Sequence, residues 1–117
     1  MKNKYGNKKV KTNEGETLDS ELEYARYCEL RILERAKEIK NLRRQVSFEL
    51  QPSYIKNNKN IRAIYYKADF VYFDKKGKMI VEDTKGYKTE EYKIKKKIFE
   101  YKYPELEIKE IRKEDLR

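Results

Sequence analysis

Residues 61–85, IRAIYYKADFVYFDKKGKMIVEDTK, predict a β-hairpin of two strands joined by a tight turn. The runs 61–73 and 78–85 are rich in Ile, Tyr, Phe and Val, which is typical of strands. Asp74 opens and Gly77 closes the DKKG segment between them. That segment suits a type I turn followed by a glycine bulge, because glycine readily takes the positive φ that the bulge needs.

The turn sets the register of the two strands. If Asp74 faces Lys78, then Asp69 lies directly opposite Asp83, with Cβ atoms roughly 4.5–5.5 Å apart, and Lys85 shares their face. Opposed carboxylates repel unless a cation lies between them, and Mg²⁺ is usually held by one or two carboxylates. The pattern therefore indicates a metal site at which Lys85 positions or deprotonates water. An ordinary hairpin surface, in which Lys85 neutralises its neighbours, is the alternative.

Composition excludes several other kinds of site. With His 0 and Cys 1, the chain cannot build a His-metal nuclease site, a zinc finger, a Ser-His-Asp triad or a Cys-His pair. We expect Cys28 to be a small core residue, and the lack of a second Cys fits a reducing compartment. No apolar run approaches the roughly 20 residues that span a bilayer, and the N-terminus lacks a signal-peptide pattern. We therefore expect a soluble, cytoplasmic protein without membrane partners.

The charge balance favours a polyanionic partner. Lys+Arg 30 against Asp+Glu 21 gives a net charge of +9, with Tyr 11 interleaved. Residues 1–16 form a basic segment that we interpret as a flexible arm able to lie along a phosphate backbone, or else as a solubilising tail. Residues 17–117 offer room for one domain with a modest core.

A basic helix is predicted directly after the second strand, at residues 89–101. Ile94, Ile98 and Tyr101 recur at helical spacing and should face the core, so that most of the lysines point outward and can reach phosphates. The nucleic-acid-binding candidates in this region and elsewhere are Lys88, Lys93, Lys96, Lys97, Arg43, Arg44 and Arg62. An ordinary solvated surface is the alternative for each.

The other elements complete an α-β-β-β-α-β order. A first helix should run from Thr17 or Asp19 to about Lys40, and residues 46–50 alternate as a strand that ends at Gln51 and Pro52. Residues 57–60 form a turn, and residues 106–111 carry a final strand. The expected fold class is α/β (α+β), a single domain with a mixed central sheet flanked by helices.

Several segments resemble the PD-(D/E)XK nuclease superfamily, and more closely a small phage-associated, Holliday-junction-resolvase-like family within it. They are Ala68-Asp69-Phe70, the hairpin spacing and Glu82-Asp83-Thr84-Lys85-Gly86, together with the pieces KYGNKK, LDSELEYARYCEL, FELQP and YKIKKKIFEYKYP. The likeness covers about residues 4–111. Ala68 stands where the name-giving Pro would be. Framing the triplet on Glu82 is disfavoured, because strand alternation puts Glu82 on the opposite face from Lys85.

The resemblance assigns roles to these residues. It implies that Asp69 and Asp83 bind metal and that Lys85 assists hydrolysis. It also makes Glu23 a candidate for the catalytic metal site, although Ser20-x-x-Glu23 is equally a capping box that starts the helix. We further expect the Thr84 carbonyl to be a metal ligand.

The expected function is a Mg²⁺-dependent endodeoxyribonuclease, with Mn²⁺ able to substitute, that hydrolyses DNA phosphodiester bonds. So small a chain offers little surface for base readout, so we expect selectivity for DNA structure, as in a homodimeric resolvase acting on branched DNA in phage recombination or replication. Its compartment would be the host cytoplasm if it is phage-encoded. The alternatives are a non-catalytic nucleic-acid-binding module on a nuclease fold, and a protein that regulates a replication complex.

Overall fold

The computed structural model describes residues 10–11, 17–18, 20–85 and 88–116. Its two helices are α1 (Glu21–Arg35) and α2 (Glu90–Lys102). Its strands are β1 (Val10–Lys11), β2 (Thr17–Leu18), β3 (Ile39–Gln51), β4 (Tyr54–Lys56), β5 (Lys59–Ile61), β6 (Ile64–Asp74), β7 (Met79–Thr84) and β8 (Ile108–Ile111), and a short 3₁₀ helix spans Lys113–Asp115. Among the described residues, neither helix is long and apolar enough to cross a membrane.

A four-stranded mixed sheet in the order β3-β6-β7-β8 organises the domain. β3, β6 and β7 are antiparallel neighbours, whereas β8 runs parallel to β7 after the crossover through α2. The principal elements thus follow the predicted α-β-β-β-α-β order in an α+β domain. Two small sheets, β1-β2 and β4-β5, were not predicted. Most of the proposed basic arm, residues 1–16, lies outside the described residues; Val10–Lys11 pair with Thr17–Leu18.

The predicted central hairpin is confirmed in its turn and its register. The Asp74 backbone N–H donates to the Lys78 carbonyl at 3.0 Å, and the Gly77 N–H donates to the Asp74 carbonyl at 3.0 Å. Gly77 has φ +82°, the left-handed conformation that the bulge requires. The ladder extends from Phe73 opposite Met79 to Phe70 opposite Glu82. The predicted first strand, residues 61–73, is instead two strands, β5 and β6.

The first helix is shorter than predicted. Ser20 caps its start by accepting a hydrogen bond from the Glu23 N–H at 3.0 Å, and the helix ends at Arg35 rather than near Lys40. Lys37 adopts φ 62°, and the Glu38 N–H reaches back to the Leu33 carbonyl at 2.9 Å, as in a Schellman motif. Ile39 therefore begins β3 and is buried from that strand. Ile39 lies at helical spacing from Leu33 and Ala36, so the sequence pattern alone extends the helix beyond its real end.

The buried face of α2 is also different from the prediction. Ile94, Ile98 and Tyr101 are exposed, Tyr101 to 87%, whereas Tyr92 and Phe99 are buried. This helix has two apolar stripes, and the stripe with Tyr92 and Phe99 packs on the sheet. The Phe99 ring packs edge-on against Phe48, with centroids 5.1 Å apart, and at a tilt against Tyr66, with centroids 5.2 Å apart.

Two apolar clusters cover the two faces of the sheet. Phe99 and Tyr92 of α2 pack on one face, and Tyr27 and Leu30 of α1 pack on the other. Cys28, expected in the core, is exposed, because it lies on the outer side of α1.

Candidate metal centre

The two long strands exchange faces at Gln45 and Asp69. On β6, Tyr66 and Ala68 join the cluster under α2, but Phe70 joins the cluster under α1, although residues two apart on a regular strand share a face. Gln45 lies opposite Asp69 in the β3–β6 register, between the pairs Arg44–Phe70 and Val46–Ala68, and it has φ 53°. Backbone of this kind is strained in a residue other than glycine, and such strain often marks functional sites.

Asp69 and Asp83 meet on the α2 face, as the hairpin register predicts. Oδ2 of Asp69 accepts hydrogen bonds from the Thr84 backbone N–H at 2.8 Å and from the Thr84 hydroxyl at 2.7 Å. Oδ2 of Asp83 accepts from the Tyr66 hydroxyl at 2.6 Å, and Lys85 Nζ lies 3.2 Å from Asp83 Oδ1. The structure therefore brings together all three residues of the D…DxK pattern.

Burial strongly perturbs Asp83, whose side chain is only 4% exposed. That burial, followed by the negative charge of Asp69, raises the pKa of Asp83 to about 8, although Lys85 and the Tyr66 hydroxyl act in the opposite direction. Burial and the neighbouring Asp83 charge raise the pKa of Tyr66 well above its ordinary value, so Tyr66 remains a hydrogen-bond donor. Two carboxyl groups held this close favour either a shared proton or a bound cation.

Glu23 approaches this pair through a residue that sequence reasoning missed. The Gln45 side-chain amide donates to Glu23 Oε2 at 3.0 Å and to Asp69 Oδ1 at 3.3 Å. Glu23 is buried, and it both follows the Ser20 cap and directs its carboxylate at Gln45. The two interpretations of Ser20-x-x-Glu23 are therefore compatible. No sequence signal singles out Gln45, because a left-handed glutamine within a strand follows from no local preference.

Tyr66 was also missed, for a related reason. Regular alternation places residues 66 and 69 on opposite faces of a strand, so the sequence pattern separates this tyrosine from the acidic pair. The exchange of faces beside Asp69 brings the Tyr66 hydroxyl to Asp83 instead.

Glu82 occupies the other face, as alternation predicts. Arg26 binds it in a bidentate manner, with Nε 2.8 Å from Oε1 and a terminal nitrogen 2.7 Å from Oε2. The Tyr72 hydroxyl donates to the same carboxylate, and a second terminal nitrogen of Arg26 binds Glu29 at 2.9 Å. Glu82 thus has three side-chain hydrogen bonds on the α1 face and lies apart from Lys85.

The donor set suits a hard divalent cation. The Asp69–Asp83 pair offers carboxylate oxygens, which Mg²⁺ prefers, and Mg²⁺ commonly uses only one or two of them. In the described ranges, no three acidic, His or Cys side chains converge into one cluster, so Glu23 stands beside the pair and not within it. The contacts of Thr84 are donations to Asp69, and a metal role for its carbonyl remains a prediction.

Acidic partners engage several of the candidate phosphate-binding residues. Lys88 lies 2.8 Å from Glu110, Lys93 lies 3.1 Å from Glu90, and Lys96 lies 3.2 Å from Glu100. Lys97, Arg43 and Arg62 are exposed, and the Arg44 guanidinium stacks over the Tyr27 ring at 5.5 Å. The surface of α2 is therefore less basic than its lysine content predicted. Its exposed ion pairs are weak and can be exchanged for phosphate contacts.

Replacing Gln45 by Glu should destabilise the metal-free protein at pH 8, because a donor to two carboxylates becomes a third acceptor. We expect a loss of about 1–3 kcal/mol in the free energy of unfolding, measured by thermal melting in chelator. The loss should shrink at pH 4 and on addition of Mg²⁺. The matched control is Gln51→Glu at the end of the same strand. Equal melting temperatures for the two variants would contradict the bridging role of Gln45.

No curated protein and no solved structure matches the chain in comparisons with known proteins. A family model does match residues 2–115, which is nearly the whole chain and includes every residue of the candidate site. The chain therefore belongs to the family described as "Protein of unknown function (DUF1064)".

Proposed function

We propose that this protein is a metal-dependent DNA endonuclease of the PD-(D/E)XK type. The observation that carries the proposal is the meeting of Asp69, Asp83 and Lys85, with Lys85 Nζ 3.2 Å from Asp83. The pairing of two carboxylates, one with a pKa raised to about 8, supports a cation at this place. The order α-β-β-β-α-β and the resemblance of the hairpin motif support the same assignment.

Each residue of the site has a role in this proposal. Asp69 and Asp83 hold Mg²⁺ or Mn²⁺, with Glu23 oriented toward them by Gln45. The bound cation supplies Lewis-acid stabilisation of charge on the phosphate. Tyr66 fixes the rotamer of Asp83 through its hydroxyl.

Lys85 is held in place from two sides. Its Nζ lies 3.9 Å from the centroid of the Tyr92 ring as well as beside Asp83. A cation positioned in this way can orient the attacking water and stabilise the negative charge that develops on the phosphate.

The net charge of +9 supports a nucleic-acid substrate. The resemblance adds three further parts to the proposal. They are selectivity for branched DNA, action as a homodimer and a role in phage recombination.

Cleavage assays test the proposal directly. Four-way junction, flap, single-stranded and linear duplex DNA are incubated with Mg²⁺ or Mn²⁺ and with wild type, Lys85→Ala or the control Lys78→Ala from the exposed hairpin turn. We expect metal-dependent products, a roughly 10²–10³-fold lower rate for Lys85→Ala, and an unchanged rate for Lys78→Ala. DNA binding without cleavage under either metal would favour the non-catalytic module. A protein partner without DNA affinity would favour the regulator.

A further inference from the structure

The small β4–β5 hairpin stands out from the rest of the molecule. We call residues 54–62, which are this hairpin and the adjacent Arg62, the ribbon. Tyr54 pairs with Ile61, Ile55 with Asn60 and Lys56 with Lys59. Asn57 and Asn58 form the two-residue turn with φ 50° and 62°, the positive values of a type I′ turn. The turn chemistry therefore specifies the pairing of the ribbon, which lies on the connection between β3 and β6.

Neither face of the ribbon is covered by the domain. Every residue from position 52 to position 60 is exposed, including Tyr54 and Ile55, and Ile55 is 75% exposed. Successive side chains of a strand point to opposite faces, so Tyr54 and Lys56 lie on one face of the ribbon and Ile55 lies on the other. An isolated two-stranded hairpin is only marginally stable, and its unpaired strand edges are open to a partner.

The charges of the ribbon indicate what that partner is. From Gln51 to Lys67 the chain carries four basic residues and no acidic one: Lys56, Lys59 and Arg62 in the ribbon, and Lys67 on β6. Lys56 and Lys59 lie directly opposite each other beside the turn. Like charges in that position destabilise a hairpin unless an anion lies between them. Unlike the lysines of α2, these residues have no acid within the segment to neutralise them.

The base of the ribbon precedes the strand that carries Asp69 of the proposed active site. It joins β6 at Ile64, five residues before Asp69, which corresponds to about 17 Å along an extended strand. A two-stranded ribbon fits the roughly 12 Å wide major groove of B-DNA.

We propose that the ribbon is a duplex-binding arm that enters a groove of DNA beside the scissile phosphate. Lys56, Lys59 and Arg62 contact backbone phosphates, and Ile55 packs against sugars and bases within the groove. The substrate class rests on the proposed nuclease function. The arm itself is defined by binding and not by cleavage.

The test measures binding of the full chain to a labelled duplex of roughly three helical turns, by fluorescence anisotropy in EDTA so that no DNA is cut. The variant Lys56→Ala/Lys59→Ala/Arg62→Ala is compared with a control of equal charge change, Lys75→Ala/Lys76→Ala/Lys78→Ala, in the exposed turn at the other end of β6. We expect the ribbon variant to bind at least about 10-fold more weakly near 0.1 M salt, and its log–log salt slope to fall by about 3. The control should bind nearly as wild type does.

The outcomes separate the arm from the nuclease. If wild type cleaves DNA but the ribbon variant binds duplex as tightly as the control does, the proposed role of the ribbon is wrong and the proposed nuclease activity is supported. If the ribbon variant loses duplex binding and no metal supports cleavage by wild type, the proposed role of the ribbon is supported and the proposed nuclease activity is wrong. Absence of duplex binding by wild type at low salt overturns the arm.

Entry into the groove has its own variant. Ile55→Ser should weaken duplex binding without changing the salt slope, because it removes an apolar contact and no charge. An equal loss of affinity for single-stranded DNA would overturn the groove contact.

Discussion

Asp83→Asn should abolish metal-dependent cleavage and at the same time stabilise the metal-free protein. The substitution keeps the shape of the side chain and an acceptor for the Tyr66 hydroxyl, but it removes a carboxylate whose charge is disfavoured by burial and by Asp69. In the proposed nuclease, cleavage should fall by at least about 10³-fold, because Asp83 is one of the two proposed metal ligands. Above pH 8 the melting temperature in chelator should rise by roughly 4–10 °C, which corresponds to about 1–3 kcal/mol.

The sign of the pH dependence follows from the raised pKa. Folding lifts the pKa of Asp83 from its ordinary value of 3.8 to about 8, so between these values the folded protein binds a proton that the unfolded chain releases. This contribution to stability is complete below about pH 4 and is lost as the pH rises to about 8, with a slope of at most about 1.4 kcal/mol per pH unit. In Asp83→Asn this slope should be absent.

Melting curves in EDTA from pH 4 to pH 9 check the prediction, with exposed Glu114→Gln as the control for removing one acid. If Asp83→Asn were less stable than wild type above pH 8, Asp83 would be a stabilising ion-pair partner of Lys85, and its charged form would not be destabilised by burial and by Asp69. Addition of Mg²⁺ should stabilise wild type more than Asp83→Asn.

Arg26→Met should be the most destabilising single substitution on the α1 face. Glu82 is fully buried, and Arg26 supplies two of its three side-chain hydrogen bonds. Removing the arginine leaves a buried carboxylate without its counter-charge, which typically costs about 3–5 kcal/mol, equivalent to about 10–20 °C in melting temperature for a chain of this size. Thermal and urea unfolding at pH 7 measure the loss.

A matched triple variant distinguishes the destabilisation caused by an unpaired buried carboxylate from the net stabilisation that the Arg26–Glu82 ion pair contributes. Arg26→Met/Glu82→Leu/Tyr72→Phe removes the whole polar cluster and replaces it with apolar groups of similar volume. It should recover most of the lost stability, since buried ion pairs are often no more stabilising than well-packed apolar residues. If Arg26→Met were as stable as the triple variant, the buried Glu82 carboxylate would need no counter-charge.

Local chemistry in the sequence determined the central hairpin and therefore the centre of the candidate site. Asp74 and Gly77 specify one turn, and that turn sets the register that places Asp69 beside Asp83 and Lys85. The result needed no tertiary information, because a two-strand register propagates from its turn. The presence of α2 and the assignment of Glu82 to the opposite face followed from equally local patterns.

The end of α1, the buried face of α2 and the contacts of Gln45 and Tyr66 depend on tertiary packing. Helix α1 ends where Lys37 adopts a left-handed conformation, and α2 turns Phe99 inward and leaves Ile94 exposed, because the packing of the whole sheet outweighs helical spacing. Gln45 and Tyr66 reach the acidic pair only because β3 and β6 exchange faces beside Asp69. That irregularity is stabilised by contacts between residues distant in sequence. Local sequence patterns therefore placed Asp69, Asp83 and Lys85 together, and the packing of the whole domain brought Gln45 and Tyr66 into contact with the acidic pair.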